Sequence, residues 1–242
     1  MLSNLKAVPK TIQALMTAAA ILTIFFATNL LYQVLRKPTE LFSPVSGELN
    51  KTPIETWRQY APLFREYSTA SISPELLASL AQVEGAGNPI ASTFWRWRLT
   101  WNPFEIYEPA SSSVGMYQMT DAAFSEARHY CIRHHIVVAD GCSLNGVDSR
   151  LLPSRAIELT AVFLDRNVTG VLSHRPNAMA SLQQKQELAT IIHLCGAGLA
   201  KAFAQSGFHL IAGERCGDHD AARYLAHINA MKREFLRFAA DG

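Results

Sequence analysis

The first strong pattern in the chain is an uninterrupted apolar stretch near the N-terminus. Residues 12–35 read IQALMTAAAILTIFFATNLLYQVL and contain no charged side chain. A helix of this length spans roughly 36 Å, and the hydrocarbon core of a bilayer is about 30 Å thick. The stretch therefore predicts one transmembrane helix after a short segment at 1–11. A cleaved signal peptide is the alternative, although its apolar region is usually shorter and ends in small residues.

Beyond this stretch the pattern becomes that of a linker and then of a helical domain. Residues 36–52 are rich in Pro, Ser, Thr and Gly, which is typical of a linker. Farther on, apolar side chains recur at helical spacing, and no alternating run is long enough to predict a sheet. We therefore predict one all-α domain over residues 53–242. Its main helices contain the stripes Trp57–Tyr67, Leu76–Val83, Ile157–Val168, Leu188–Leu199 and Tyr224–Phe238.

The sequence predicts where four helices begin, three of them from capping residues. Ser73 followed by Pro74 is a typical helix start, because a serine caps the first turn and proline suits the first helical position. A shorter helix is expected after Thr120. Ser154 and Asp218 are the expected caps of the third main helix and of the last one.

Composition and charge narrow the choice of partners only slightly. The chain is 49% hydrophobic and 17% charged, as in an ordinary folded domain. Its formal net charge is +2, and it contains no run of Lys and Arg. We therefore predict no nucleic-acid partner.

Cysteine usage indicates the compartment. An even number of cysteines downstream of the apolar stretch is compatible with two disulfides in an oxidising compartment, with their connectivity left open. Four buried free thiols are the alternative. His134 and His135 lie near Cys131, but the spacing matches no zinc template, and we predict no metal and no cofactor. The four cysteines are Cys131, Cys142, Cys195 and Cys216.

Glu84 is the candidate catalytic residue. It follows Leu80 by four positions and Leu77 by seven, which puts a carboxylate on the apolar face at the end of a helix. Burial disfavours the charged form of a carboxyl group, and a general acid must keep its proton near neutral pH. An ordinary, half-exposed glutamate at a helix end is the alternative.

Two later segments add to this candidate site. Residues 111–120 read SSSVGMYQMT, in which Gly115 allows close backbone approach and Gln118 can bind sugar hydroxyl and acetamido groups. Residues 191–198 read IIHLCGAG, a buried helix that is expected to break at its glycines.

In this order, the three segments resemble the lytic transglycosylases of the soluble-type (SLT) family, relatives of goose-type lysozyme. The stretch LLASLAQVEGAGNP is similar to the family's Leu-Leu-Ala-x-Ile-x-Glu-Ser helix, which is followed by Asn-Pro. Residues 115–120 resemble Gly-Leu-Met-Gln-Leu-Met-Pro, and residues 192–198 resemble Ala-Tyr-Asn-Ala-Gly-x-Gly. The resemblance covers about residues 70–205. Two positions depart from it: Gly85 replaces a serine, and His193 replaces a tyrosine.

The resemblance implies a lysozyme-like, predominantly helical domain that cleaves the glycan strands of peptidoglycan. It implies that Glu84 protonates the bond between N-acetylmuramic acid and N-acetylglucosamine and then activates the muramoyl 6-hydroxyl, which closes a 1,6-anhydro ring. The protein would be a single-pass protein of the bacterial inner membrane, with its catalytic domain in the periplasm and an envelope protein complex as a further candidate partner. The substrate-binding residues would be Gly115, Met116, Tyr117, Gln118 and His193.

Alternatives remain open at this point. Glu105, Glu108 and Asp121 all have ordinary loop or helix-start explanations, so no second catalytic carboxylate is evident. A lysozyme-type hydrolase and a non-catalytic peptidoglycan-binding scaffold are the rival functions. Three tryptophans could stack on sugar rings, although packing in the core is the interpretation that we favour for them; they are Trp95, Trp97 and Trp101.

Overall fold

The apolar stretch forms one long helix, α1 (Lys10–Arg36), in the computed structural model, which describes residues 9–140, 142, 149–173 and 180–241. Almost all of its most apolar window is exposed, and it is long and apolar enough to cross a membrane. The structure is mostly helical, at 65%, which confirms the helical character that the sequence predicts.

The chain divides into two units. Unit 1 combines Met1–Leu41, described from residue 9 onward, with Phe94–Ser111. Unit 2 combines Phe42–Thr93 with Ser112–Gly242, apart from its residues outside the described ranges. The segment 94–111 therefore belongs with the N-terminal helix.

Unit 1 consists of α1 and a β-hairpin. Strands β1 (Trp95–Trp97) and β2 (Tyr107–Pro109) are antiparallel, and Arg96 pairs with Glu108. A 3₁₀ helix, Pro103–Glu105, lies between them. The core-packing interpretation of the tryptophans is wrong for two of the three: Trp101 is fully exposed and Trp97 is 64% exposed.

The segment interpreted as a linker contains helical turns. A 3₁₀ helix spans Pro38–Phe42, helix α2 spans Ser43–Ser46, and a second 3₁₀ helix spans Gly47–Leu49.

Unit 2 is a helical domain with two small hairpins. Its central helix α4 is buried along Leu76–Ala81 and packs against α3, α6 and α8, while α6 packs against α7. Although α7 is long and apolar enough to span a membrane, much of it is buried in this core. The helices are α3 (Pro53–Glu66), α4 (Pro74–Gly85), α5 (Asp121–Ala127), α6 (Pro153–Ser173), α7 (Leu182–Gln205) and α8 (Ala221–Ala240), and the strands are β3 (Cys131–Arg133), β4 (Ile136–Val138), β5 (Arg215–Cys216) and β6 (His219–Asp220).

One of the three predicted caps is confirmed, and the helix expected after Thr120 is present. Ser73 accepts a hydrogen bond from the Leu76 amide, and Thr120 accepts one from the Ala123 amide. The predictions for Ser154 and Asp218 are wrong. Helix α6 begins one residue earlier, at Pro153, and α8 is capped by Asp220, whose carboxylate accepts from the Arg223 amide at 2.8 Å.

Both pairs of cysteines form disulfides, and no cysteine is free. Cys131 bonds to Cys142, and Cys195 bonds to Cys216. Because disulfides persist in oxidising compartments, the two bonds and the apolar helix together indicate a secreted or membrane-anchored extracytoplasmic protein.

Candidate functional site

Glu84 lies in the last turn of α4, as the periodicity of the helix predicts. The helix ends at Gly85, and Ala86 follows in the left-handed conformation with φ 49°. The Glu84 side chain is 19% exposed. The carboxylate is therefore mostly buried but still open to solvent.

Gly85 allows the Gly115–Gln118 turn to approach the end of α4. A Cβ atom on Gly85 would lie 2.7 Å from the Met116 Cα atom and 2.8 Å from its carbonyl oxygen. Both contacts are with backbone, which cannot easily give way. A glycine at this position thus has a steric reason in this structure.

The turn itself is rigid. Val114 and Met119 exchange backbone hydrogen bonds across it, and Gly115 has φ +76°. A Cβ on Gly115 would lie 2.6 Å from the Arg150 carbonyl oxygen, which confirms the expectation that this glycine permits close approach. Arg150 also donates to the Met119 carbonyl at 2.9 Å and pairs with Asp121 at 2.8 Å.

The side chains of this turn point to different places. Gln118 lies in a cleft, but its amide nitrogen donates to the carbonyls of Ala91 and Gly115, so it helps to lock the turn. Met116 is fully buried, and Tyr117 is 1% exposed. Burial raises the pKa of Tyr117 well above its ordinary value, and its hydroxyl has no hydrogen-bond partner within the described part of the chain. Met116 and Tyr117 line neither the cleft at Glu84 nor the cleft at His193.

The Glu84 carboxylate meets two partners at one oxygen. The Tyr224 hydroxyl donates to Oε1, and the Nε2 atom of His193 lies 3.6 Å from the same oxygen. That distance is too long for a hydrogen bond, so His193 acts on Glu84 only through its charge or dipole. Within the described ranges, Oε2 has no hydrogen-bond partner. One oxygen is thus held by protein, and the other is free to react.

Tyr224 is the site residue that sequence reasoning missed. It lies in the first turns of α8 and is 9% exposed. Burial raises its pKa well above the usual value for tyrosine, and the nearby Glu84 charge raises it further. The hydroxyl therefore remains protonated and can donate to Glu84. The only sequence signal was its place in the apolar stripe of the last helix.

A disulfide connects the elements that carry the two partners of Glu84. Helix α7 breaks after His193, at Gly196, where φ is 75° and ψ is 179°; this confirms the expected break at a glycine. Cys195 at this break bonds to Cys216 in β5, and the hairpin β5–β6 leads directly into α8 and Tyr224.

Two clefts flank the contact between Glu84 and His193. The Glu84 cleft encloses about 320 Å³ and is lined by the end of α4 and by polar residues such as Asn50, Asn88 and Ser92. The His193 cleft encloses about 350 Å³ and is also lined by Gln118 and Glu126. Glu84 thus lines one cleft, and His193, which contacts it, lines the other.

Asn88 shapes the Glu84 cleft from beneath. It is 1% exposed, and its amide donates to the Ser46 carbonyl and to Asn50 Oδ1 at 3.0 Å. Its own side-chain oxygen accepts from the Ile90 amide. The Asn88 side chain therefore ties the segment before α3 to the end of α4.

Four other carboxylates that could have taken part in the chemistry have partners within the protein. Glu105 and Glu108 lie in unit 1 near Arg36, and Asp121 pairs with Arg150. Glu126 lines the His193 cleft and accepts a hydrogen bond from Asn167 at 2.8 Å. No group of three or more His, Cys, Asp or Glu side chains is arranged to hold a metal ion in the ranges that the structure describes.

No protein-family model matches the chain, and no curated protein matches its sequence. The chemistry of the site therefore has to be argued from its own geometry. A mostly buried carboxylate with one oxygen held by a hydroxyl donor and the other free is suited to transferring a proton to and from a bound ligand.

Proposed function

We propose that this protein is a membrane-anchored lytic transglycosylase of the bacterial periplasm, with a lysozyme-like domain in unit 2. Its substrate would be the β-1,4 bond between N-acetylmuramic acid and N-acetylglucosamine in peptidoglycan, and α1 would anchor it in the inner membrane. The observation that carries the proposal is the asymmetric carboxylate of Glu84: Oε1 is held by Tyr224, and Oε2 has no partner among the described residues. The resemblance of three sequence segments to the SLT family supports the same assignment.

In the first step, Glu84 acts as a general acid. It donates the proton on Oε2 to the glycosidic oxygen, and the bond between that oxygen and C1 of N-acetylmuramic acid breaks. The positive charge that develops on the muramoyl ring is stabilised by the carboxylate that Glu84 has become.

In the second step, the same carboxylate acts as a base. It takes the proton from the muramoyl 6-hydroxyl, whose oxygen bonds to C1 and closes the 1,6-anhydro ring. The reacting hydroxyl belongs to the substrate, so its effective concentration is high and no water is consumed. Glu84 is protonated again at the end of the cycle, because it gives up one proton in the first step and takes one in the second.

Tyr224 and His193 would position this carboxylate rather than react. The Tyr224 hydroxyl fixes Oε1, which directs Oε2 to the ligand. His193 lies on the other cleft and adds charge next to Glu84 only when its ring is protonated.

The direct test is digestion of purified sacculi by the detergent-solubilised full chain. We expect Glu84→Gln to lower the release of soluble muropeptides by at least about 10²-fold, because each positioned proton transfer contributes that much or more. Glu75→Gln is the matched control, since Glu75 lies in the first turn of the same helix. Equal release by the wild type and Glu84→Gln would refute the assignment.

A lysozyme-type hydrolase is the second candidate, and Glu126 is the observation that favours it. This carboxylate lines the His193 cleft, where it could activate a water molecule. A hydrolase would leave reducing ends on its products, and Glu126→Gln would then lower the release of muropeptides. A non-catalytic scaffold would bind sacculi and release no soluble product.

A further inference from the structure

We propose that the β1–β2 hairpin is a lipid-binding element, in which Trp97, Leu99 and Trp101 contact the headgroup region of the bilayer that α1 crosses. The proposal concerns unit 1 only and does not depend on the chemistry at Glu84.

The first observation is the exposure of large apolar side chains on the hairpin. Leu99 and Trp101 are fully exposed, Phe94 is 73% exposed and Trp97 is 64% exposed. Exposed apolar groups at this density mark a binding surface for an apolar partner. Tryptophan in particular is enriched where membranes meet water.

The second observation is continuity with the apolar helix. The Trp97 ring lies 6.1 Å from the Phe26 ring, and the Phe104 ring lies 5.2 Å from the Tyr32 ring. The hairpin therefore runs along the C-terminal third of α1, whose own apolar side chains are exposed. A bilayer that receives α1 reaches the hairpin as well, which selects lipid over other occupants.

The third observation concerns the depth at which the hairpin lies in the bilayer. From Lys10 to Thr28 the helix rises about 27 Å, close to the thickness of a hydrocarbon core. The two amides that bind the hairpin, Asn29 and Gln33, follow just beyond this stretch. Trp97, which contacts Phe26, then lies at the edge of the hydrocarbon. A short open hairpin has unpaired backbone groups and cannot enter the core itself, which also favours the headgroup region.

Charge fits the same position. Arg98 lies 3.3 Å from Glu108, and Arg36 lies 3.9 Å from both Glu105 and Glu108, so these two arginines are paired with carboxylates of the same unit. The exposed Arg96, between Trp95 and Trp97, adds a further cation. Arginines beside tryptophans are suited to phosphate headgroups.

The hairpin is also fixed to α1 by buried polar groups. The amides of Asn29 and Gln33 are 1% and 2% exposed, and both donate to the Phe104 carbonyl, at 2.9 and 2.6 Å. This contact requires α1 to stay attached to the protein, so it favours an anchor over a cleaved signal peptide.

The test is tryptophan fluorescence of the full chain in liposomes made with lipids brominated near the headgroup. We expect these lipids to quench the emission, and Trp97→Phe/Trp101→Phe to lose at least half of the quenched intensity. Trp101→Phe alone tests the same point without disturbing packing, because Trp101 is fully exposed. The control is Trp57→Phe, since Trp57 is buried in unit 2, and it should leave the quenched intensity unchanged.

Three results would overturn the proposal. The quenched intensity could be the same in the wild type and the double variant, or the protein could fail to float with the liposomes. Trp101 emission could also respond to soluble glycan strands or to self-association but not to brominated lipid. The readout is independent of muropeptide release, so failure here and failure of the proposed function are distinguishable.

Discussion

Unit 1 leaves Leu99 and Trp101 fully exposed and buries two amides, Asn29 and Gln33, whereas unit 2 buries large aromatic side chains such as Phe64 and Phe235. In unit 1 the buried polar groups bind a backbone carbonyl. In unit 2 the buried Tyr224 hydroxyl donates a hydrogen bond to the Glu84 carboxylate, which lines a cleft.

This difference is the one expected if unit 2 is surrounded by water and unit 1 is in contact with lipid. A domain in water hides apolar side chains, and a polar group kept inside needs a partner or a task. A segment in contact with lipid can expose apolar side chains, but it must satisfy its polar groups internally. The comparison predicts that changes in each unit have different consequences.

The largest effect on the stability of unit 2 is expected from its Cys195–Cys216 disulfide. Cys195→Ser/Cys216→Ser should lower the free energy of unfolding by about 3 kcal/mol. It should also reduce muropeptide release by roughly tenfold, because the bond holds the elements that carry His193 and Tyr224.

The other disulfide is the matched control for this prediction. Cys131→Ser/Cys142→Ser should cost a similar free energy of unfolding and leave release unchanged, since β3 and β4 carry no residue of the site. An equal loss of release in both pairs of variants would show that stability alone accounts for it.

Two buried tyrosines give the next prediction. Tyr224→Phe should lower muropeptide release by about tenfold to a hundredfold, because a hydrogen bond to a charged group contributes about 1.5–3 kcal/mol. Tyr117→Phe should leave release unchanged and leave the free energy of unfolding unchanged or higher, because the buried hydroxyl that it removes has no partner among the described residues. Initial rates and chemical denaturation check both variants. Equal rates of release for Tyr224→Phe and Tyr117→Phe would show that the Tyr224 hydroxyl does not contribute to the reaction.

Gly85→Ser tests whether a glycine is required at this position for steric reasons. The new Cβ would meet Met116 backbone at 2.7 Å, and we expect the free energy of unfolding to fall by about 2 kcal/mol. Gly170→Ser is the control, because nothing lies within 4 Å of a Cβ there. A Gly85→Ser protein as stable as the wild type would contradict the steric argument.

The smallest effect is expected in unit 1. Asn29→Leu/Gln33→Leu leaves the Phe104 carbonyl without its two donors, which should loosen the hairpin by about 1 kcal/mol. Faster amide hydrogen exchange in the hairpin, with muropeptide release unchanged, is the expected result in nanodiscs. Gln13→Leu is the control, since Gln13 is exposed near the other end of α1. Unchanged exchange in the double variant would mean that the two amides do not hold the hairpin.

Local signals were sufficient to predict part of the site. The spacing of Leu77, Leu80 and Glu84 predicts a carboxylate at the end of a core helix, and the positive φ of Gly115 agrees with the turn expected there. Each of these features depends on a few neighbouring residues.

The rest depends on contacts between distant segments. Tyr224 and Glu84 are 140 positions apart, and only the packing of α8 on α4 brings them together. The same reason applies to Trp101: an aromatic-rich segment is predicted to pack in the core, and the structure shows instead that the segment packs on α1 and leaves Trp101 exposed. Helix starts are harder still, because Asp218 and Asp220 are equally good caps in isolation.

The most direct test of the central claim is the mass of the muropeptides that the wild-type chain releases from sacculi. If Glu84 serves as both acid and base on an internal hydroxyl, the chain ends carry 1,6-anhydromuramic acid, which lacks one water relative to a reducing end. Products with reducing ends only, or no soluble products under conditions in which the protein is folded and bound to sacculi, would contradict it.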